Sequence, residues 1–319
     1  MINISTLLHT IEKKILTTNH DILLGLEFQQ KKAALNEYSA QGASLSPRTG
    51  PDTLDTYMVY LEDLYKLNDN NLLTFSAKLD YYEDSFSKSS TEYSLRLGYI
   101  TNFATNWKNK LFITKKYMYP SMLQTSFTPP LHIPNPDLES NDIEMITGEL
   151  QYAKDSTILS FGYAYKTIEN PIVFNKMRKM FVNGKNTVYF RRLYTRGEYK
   201  FDVNNKIILE YYASYCGNHG SPTSGAIVQL FNKIGKINIY NELVYRADYT
   251  LNYGAGDVKI DKGYDYTLAL SYPLSKKLNL KLKGENLFNK ASKSLIDPQG
   301  NIKASAIQRR GILTMEYTF

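Results

Sequence analysis

Apolar and polar residues alternate along almost the whole of this sequence, and a period of two is typical of β-strands. In one segment Leu73, Phe75 and Leu79 occupy odd-numbered positions, and Lys78 and Asp80 occupy even-numbered ones. Successive side chains of a strand point to opposite faces of the sheet, so each such segment has an apolar face and a polar face. The pattern recurs in about fifteen segments of roughly 10 residues each, which predicts an all-β protein.

A sheet of this size needs something to cover its apolar face. Open sheets rarely exceed about 10 strands without curling or splitting. The best candidate for an amphipathic helix, residues 11–16, is too short to cover a sheet. No apolar run approaches the ~18 residues of a membrane-spanning helix. We therefore predict a transmembrane antiparallel β-barrel, with lipid on the apolar face and water on the polar face.

The aromatic content agrees with this prediction, because the chain contains 27 Tyr and 14 Phe but one Trp. Tyrosine has an apolar ring and a polar tip, and transmembrane barrels place aromatic girdles at both membrane interfaces. Tyrosines at such positions are more often girdle residues than ligand contacts, and this expectation covers Tyr119, Tyr165, Tyr211, Tyr215 and Tyr245. The net charge of +7 is spread along the chain without a Lys/Arg tract, so no nucleic-acid partner is predicted.

The links between the predicted strands alternate between short and long. The short links are 17–20, 68–71, 102–110, 154–157, 203–206, 234–236 and 273–277, and the long links are 35–53, 84–91, 118–142, 170–186, 216–225, 250–260 and 291–305. Outer-membrane barrels have short periplasmic turns and long extracellular loops. If the short links are periplasmic and the long links extracellular, Phe319 lies on the periplasmic side and Met1 on the extracellular side. With an odd number of strands, this arrangement predicts that the N-terminal part of the barrel is missing from the chain.

Several motifs resemble those of the TonB-dependent outer-membrane receptors. GENLFNKA at 284–291 resembles the signature that precedes their last strand, and NPDLESNDIEMITGELQY at 135–152 resembles their passage from a long loop into a strand. YMYPSM at 117–122 lies just before that loop, as in the family. The family ends on an arginine, an alternating strand and a final Phe, which Arg310 and Phe319 match.

The resemblance implies a barrel of about 22 strands whose lumen is filled by an N-terminal plug. No segment of this sequence resembles the plug, the coupling box before it or a signal peptide. We therefore predict that residues 1–319 are the C-terminal β-barrel portion of such a receptor, about 15 strands of an incomplete barrel. The plug domain and the signal peptide are expected to be absent from this chain.

The resemblance also implies a function and partners. Such receptors lie in the cell outer membrane of Gram-negative bacteria and take up scarce nutrients such as ferric siderophores, haem or cobalamin. The expected partners are the lipid bilayer, lipopolysaccharide and a ferric chelate or similar small ligand. A TonB-type energy-coupling protein is expected only if a plug is supplied. No resident cofactor is predicted.

The sequence offers few candidate site residues. His132 lies between two of the family motifs, where haem-type receptors carry a haem-binding histidine, but an exposed loop histidine is the alternative. Lys281, Lys283, Glu285, Arg310 and Glu316 are predicted to face the lumen, either as partners of plug charges or as local ion pairs. The four histidines are dispersed, and the hydrolase, metalloprotease and P-loop motifs are absent, so no enzyme is predicted.

Two other functions stay open. A passive outer-membrane porin would close as a smaller barrel of about 14 or 16 strands with an open lumen. A soluble surface-binding β-protein would instead cover the apolar faces with protein. The ligand itself is not identified by the sequence.

Overall fold

The structure is a computed structural model that describes residues 2–35, 52–125, 133–175, 177–216, 224–252, 257–291, 294–296, 303–305 and 308–318. Nearly all of these residues lie in β-strands or in the turns that join them. Within these ranges no helix combines the length and the apolar character needed to cross a membrane.

Fifteen strands form one antiparallel sheet, in which each strand lies next to the strand that follows it in the sheet along the chain. These strands are β1 (Ile2–Leu16), β2 (His20–Leu35), β3 (Asp52–Asn68), β4 (Asn71–Asp84), β5 (Ser90–Ala104), β6 (Trp107–Met118), β7 (Asn141–Lys154), β8 (Thr157–Glu169), β11 (Val188–Lys200), β12 (Lys206–Cys216), β13 (Ser224–Ile234), β14 (Ile237–Arg246), β17 (Gly263–Pro273), β18 (Leu278–Glu285) and β21 (Arg310–Tyr317). The predicted class and strand number are thus confirmed.

The remaining strands lie in three of the long links. They are the two-stranded pairs β9 (Ile172–Asn175) with β10 (Met180–Asn183), β15 (Tyr249–Asn252) with β16 (Asp257–Ile260), and β19 (Ser294–Ile296) with β20 (Lys303–Ser305). A single helical turn, α1 (Met122–Thr125), follows β6. The sequence pattern did not reveal these elements, because segments of three or four residues are too short to show a period.

The chain divides into two compact units. Unit 1 comprises Met1–Thr101, Lys110–Thr147 and Lys166–Val188, and unit 2 comprises Asn102–Asn109, Gly148–Tyr165 and Tyr189–Phe319. In unit 1 the strand register aligns Leu26 with Val59, Val59 with Leu79, and Leu79 with Tyr93. This row lies on the apolar face, and its members are exposed to between 48% and 55%. The apolar face is therefore bare of protein here, as the prediction of lipid contact requires.

Aromatic side chains mark two levels on the apolar face of unit 1. Near the long-link end, Phe28, Tyr57 and Tyr81 are successive neighbours, with ring centroids 5.1 and 6.2 Å apart. Near the short-link end, His20 stacks on Tyr65 at 4.4 Å. Eight residue steps from Tyr57 to Tyr65 cover about 26 Å along β3 at ~3.3 Å per residue. With the strand tilt of about 35–45° this corresponds to about 20 Å along the membrane normal, somewhat less than the ~25 Å apolar band of an outer-membrane barrel.

Tyrosines on the polar face of each unit lie across a glycine of the neighbouring strand. In unit 1 Tyr60 lies over Gly25 and donates a hydrogen bond to Glu12. In unit 2 Tyr194 lies over Gly162, and its hydroxyl donates to Glu149 Oε2 at 2.6 Å. A Cβ at either glycine would come within 2.0 Å of the tyrosine ring, so glycine leaves the space that the ring occupies.

Candidate ligand-binding site

A cavity of about 670 Å³ opens on the polar face of unit 1. Its walls come from β2, β3 and β4, and the segment after β6 covers it. The lining residues are Glu27, Gln29, Lys31, Ala33, Leu54, Thr56, Met58, Lys78, Tyr82, Tyr119, Pro120, Ser121 and Met122. We call this space the ligand cavity. It lies towards the ends of β2 and β4 that lead into long links and near the start of β3, which follows one.

Strand register brings these residues together from distant parts of the sequence. One row pairs Gln29 with Thr56 and Thr56 with Tyr82. The next row pairs Glu27 with Met58, and Met58 with Asp80. Because residues opposite each other share a face of the sheet, positions of the same parity converge on one wall. The alternation seen in the sequence thus becomes a surface that carries both charged and aromatic groups.

Asp80 is the most buried charged group of this wall, with 0% of its surface exposed. Tyr117 donates a hydrogen bond to its Oδ2 atom. Lys78 Nζ forms an ion pair with Oδ1 at 3.2 Å, although no hydrogen bond from the described residues reaches that oxygen. A buried carboxylate of this kind depends strongly on its few partners. Asp80 therefore holds Lys78, which lines the cavity, and Tyr117 in fixed positions.

Three tyrosines form an aromatic cluster beside Asp80. Tyr82 and Tyr119 stack with ring centroids 4.1 Å apart and an interplanar angle of 5°. The hydroxyls of Tyr82 and Tyr117 lie 2.8 Å apart, and the hydroxyl of Tyr119 lies 3.3 Å from Ser87 Oγ. Burial raises the pKa of the Tyr119 phenol, so it stays neutral at physiological pH. The cluster offers a ligand a flat aromatic surface with polar edges.

The side chains of β6 change faces before this cluster. Leu111 and Ile113 are exposed on alternate positions, but Tyr117 is half-buried against Asp80 and Met118 is 52% exposed. The alternation has therefore shifted by one residue, as it does at a β-bulge, a feature that often re-aims a side chain beside a functional site. For this reason the assignment of Tyr119 to a membrane girdle was wrong, since it lines the ligand cavity.

The cavity is covered by residues 119–125. Pro120 is buried, and Ser121 immediately precedes the short turn α1, where its carbonyl accepts a hydrogen bond from the Thr125 amide at 3.1 Å. The Gln124 side chain accepts hydrogen bonds from both the amide and the hydroxyl of Ser121. These contacts hold the covering segment in one conformation, and Thr125 is 1% exposed.

The other residues predicted from the sequence have mixed outcomes. His132 lies outside the described residues, so its role stays a prediction. Lys281 pairs with Glu316, and Glu285 pairs with both Lys283 and Arg310. These five charges thus form the local ion pairs that were one of the two expectations. Within the described ranges, no group of three or more His, Cys, Asp or Glu side chains is placed to hold a metal ion.

Each of two family motifs contains an asparagine that anchors a loop. Asn286 is 0% exposed, and its side-chain oxygen accepts hydrogen bonds from the Lys290 and Ala291 amides, each at 3.1 Å. Asn135 donates from its side chain to the Phe181 carbonyl at 2.8 Å. Both motifs therefore have a structural explanation, because their asparagines satisfy backbone groups that would otherwise be left without partners.

Comparison with known proteins agrees with this architecture. Residues 5–197 match the family model described as TonB dependent receptor-like, beta-barrel. No curated protein sequence matches the chain. Among solved structures, the copper transporter OprC superposes with a TM-score of 0.75 at 12% identity, covering 100% of this chain and 57% of OprC.

Two further solved structures have the same fold. The FrpB iron transporter from Neisseria meningitidis, F3-3 variant, has a TM-score of 0.69 at 13% identity, with 98% of this chain and 55% of FrpB covered. The siderophore receptor PirA from Acinetobacter baumannii has a TM-score of 0.69 at 12% identity, with 100% of this chain and 55% of PirA covered. The chain thus spans little more than half the length of these proteins.

Proposed function

Because the chain belongs to the TonB-dependent receptor β-barrel family, we propose that it forms the wall of a receptor that takes up a scarce nutrient. The proposed location is the cell outer membrane of a Gram-negative bacterium, with the long links outside the cell. The observation that carries the proposal is the ligand cavity, which lies on the polar face near the long-link ends of unit 1. A nutrient arriving from outside would meet this cavity before the rest of the polar face.

The size and chemistry of the ligand cavity suit a small, partly charged ligand. Its volume of about 670 Å³ falls within the ~300–1,000 Å³ of typical ligand pockets. Lys31 and Lys78 provide positive charge, and Tyr82 and Tyr119 provide an aromatic surface. Anionic ferric chelates, haem and cobalamin all combine planar or aromatic groups with polar ones. We propose a ferric siderophore, haem or cobalamin as the ligand class, and transport rather than catalysis as the activity.

Binding of named probes tests this proposal. The full chain would be refolded into detergent and titrated with ferric enterobactin, haem and cyanocobalamin while tyrosine fluorescence is recorded. We expect saturable quenching by at least one probe. Lys78→Ala and Tyr82→Ala should each weaken that binding by about tenfold, the loss of about one charge-assisted or stacking contact. Lys283→Ala, which changes a lysine outside the cavity, is the matched control. Absence of binding by all three probes would overturn the proposed ligand class.

Conductance separates this proposal from the porin alternative. A receptor wall without an open pathway should give no steady ohmic current when the full chain is added to a planar bilayer. A stable open conductance that persists in Lys78→Ala would favour a passive porin instead. The contribution of His132 stays a prediction, and His132→Ala is expected to weaken the binding of haem alone among the three probes.

A further inference from the structure

The NPDL motif at residues 135–138 contacts the segment that covers the ligand cavity. The backbone amide of Asn135 donates a hydrogen bond to the Gln124 carbonyl at 3.1 Å. Gln124 lies in α1, near the end of the covering segment 119–125, and its carbonyl is one of those that a helical turn leaves without an internal partner. Asn135 is not one of the described residues that line the ligand cavity. The motif therefore contacts the cover without contacting the cavity.

Asn135 is in turn held by the hairpin of β9 and β10. Its side-chain nitrogen donates a hydrogen bond to the Phe181 carbonyl at 2.8 Å, and its side-chain oxygen accepts one from the Asp137 amide at 3.1 Å. An asparagine side chain has both a donor and an acceptor, and both are used here. The nitrogen joins the motif to the hairpin, whereas the oxygen closes a turn within the motif.

Two further contacts hold the same part of the chain along β10. The Ile133 amide donates a hydrogen bond to the carbonyl of Lys179, which immediately precedes β10. At the other end, the Glu139 amide donates to Asn183 Oδ1 and the Glu139 carbonyl accepts from Asn183 Nδ2, both at 2.9 Å. Residues 133–139 are thus attached to the hairpin at three points, and the contact in the motif is the middle one.

The covering segment connects these contacts to the wall of the ligand cavity. The Gln124 side chain accepts hydrogen bonds from the amide and the hydroxyl of Ser121. Ser121 lines the cavity, as does Tyr119 two residues earlier, and the Tyr119 ring stacks on Tyr82 at 4.1 Å. All of these residues belong to unit 1. A continuous series of contacts therefore leads from the hairpin through Asn135 and the cover to the aromatic wall.

We propose that Asn135 is a positioning residue of the ligand cavity, which holds the Tyr119 ring against Tyr82 before a ligand arrives. This inference rests on the proposed function, because it concerns how the same cavity is prepared for binding. A cavity that is already ordered loses less conformational entropy when it binds a ligand, so preorganisation raises affinity. Asn135 therefore affects affinity without contacting the ligand.

Fluorine NMR of the ligand-free protein tests the positioning. The full chain would be refolded into detergent with fluorotyrosine in place of Tyr119 alone. In the wild type, we expect one resonance displaced from that of a solvent-exposed fluorotyrosine, because the ring is stacked on Tyr82. Asn135→Ala removes both side-chain hydrogen bonds, so intensity should move towards the exposed position.

Asn135→Asp separates the two hydrogen bonds of that side chain. It keeps an oxygen that accepts from the Asp137 amide but loses the donor to the Phe181 carbonyl, so it should behave like Asn135→Ala. A role limited to the turn within the motif would leave Asn135→Asp like the wild type, and that result would overturn the proposal. Asn286→Ala is the matched control, since it removes the loop-anchoring asparagine of the other motif. It should leave the Tyr119 resonance in place.

Titration with ferric enterobactin, haem and cyanocobalamin then relates position to affinity. For each probe that binds the wild type, Asn135→Ala and Asn135→Asp should weaken binding by about fivefold, the scale of one lost hydrogen bond, and mainly through faster dissociation. Unchanged fluorine spectra, or changed spectra with unchanged affinity, would overturn the proposal. Failure of all three probes to bind the wild type would overturn the proposed ligand class instead, and the fluorine spectra would still decide whether Asn135 positions Tyr119.

Discussion

Charged side chains are buried in one part of the polar face and exposed in another. In unit 1, Asp80 is 0% exposed, and it lies beside an aromatic cluster that residues 119–125 help to cover. On β18 and β21 in unit 2, Lys281 and Glu316 form an ion pair while their side chains stay 44% and 49% exposed. Both regions alternate in the same way along the sequence. The two regions differ because a loop covers the polar side chains in the first, whereas those on β18 and β21 are exposed to solvent.

This difference shows what a covering loop does to the charged groups of a strand wall. An exposed ion pair is screened by water and contributes little to stability, whereas a buried charge depends on each of its partners. The cover over Asp80 therefore makes the surrounding contacts strong and specific. On β18 and β21 the same residue types form a hydrated wall. A ligand that requires fixed, desolvated contacts would find them in unit 1.

The largest expected effect comes from removing the buried charge. Asp80→Ala removes the buried acceptor of the Tyr117 hydroxyl and the ion-pair partner of Lys78, whose side chain is 39% exposed. We expect a loss of about 3 kcal/mol in the free energy of unfolding, the upper scale for losing hydrogen bonds to a charged group. Urea titration of the full chain in lipid vesicles, followed by tyrosine fluorescence, measures it.

The matched control for this variant is Glu316→Gln on β21. Because that side chain is exposed, we expect no measurable change in the urea midpoint. A loss of stability in Glu316→Gln as large as that in Asp80→Ala would show that the cover over Asp80 makes no difference.

The second comparison is between the two sites at which a tyrosine lies across a glycine of the neighbouring strand. Tyr194 is half-buried and forms its hydrogen bond to Glu149 at 2.6 Å, so its ring cannot leave easily. Gly162→Ala should therefore lower stability by about 1–3 kcal/mol, as overpacking commonly does. Gly25→Ala should cost less, because Tyr60 lies beside the exposed strand β1 and can turn towards water.

Gly148→Ala serves as the control for the glycine variants. Its Cβ meets no atom within 4 Å, so the substitution should leave stability unchanged or raise it slightly. The urea midpoints of the three variants give the order directly. An equal loss in Gly162→Ala and Gly148→Ala would mean that the tyrosine ring does not require the glycine.

The smallest expected effect is the pH dependence of an exposed turn. Hydrogen bonds from the Asn205 side chain and the Asn204 and Asn205 amides lower the pKa of Asp202. A lowered pKa in the folded chain means that the turn is stabilised above the unfolded pKa of about 3.9 and loses this contribution as the pH falls further.

Asp202→Ala provides the comparison for that titration. The urea midpoint of the wild type should fall slightly more than that of Asp202→Ala when the pH is lowered from about 5 to about 2. Parallel curves for the two proteins would show that the turn does not depend on the charge of Asp202.

Much of the fold could be predicted because strand periodicity and link length are local properties of the chain. The alternation of Leu73, Phe75 and Leu79 with Lys78 and Asp80 predicted two unlike faces, and the alternation of short and long links predicted an up-and-down barrel with its long loops on one side. A side chain's face follows from its position in a strand as long as the strand is regular. The fifteen-stranded sheet confirms this reasoning.

The ligand cavity could not be predicted in the same way. The one-residue shift in β6 moves Tyr117 and Tyr119 to the polar face, and a pattern of period two cannot show where such a shift occurs. In the sequence, Asp80 resembles any other polar residue of its strand, because its contact with Tyr117 becomes visible only in the tertiary structure.

The sequence by itself therefore determined which segments form the fifteen-stranded sheet, which face of each regular strand is apolar, and which family the motifs resemble. Only the tertiary structure decided which charges are covered, which tyrosines meet and which loops contact one another. The physical reason is that periodicity depends on neighbours along the chain, whereas burial and contact depend on residues that register brings together from different strands.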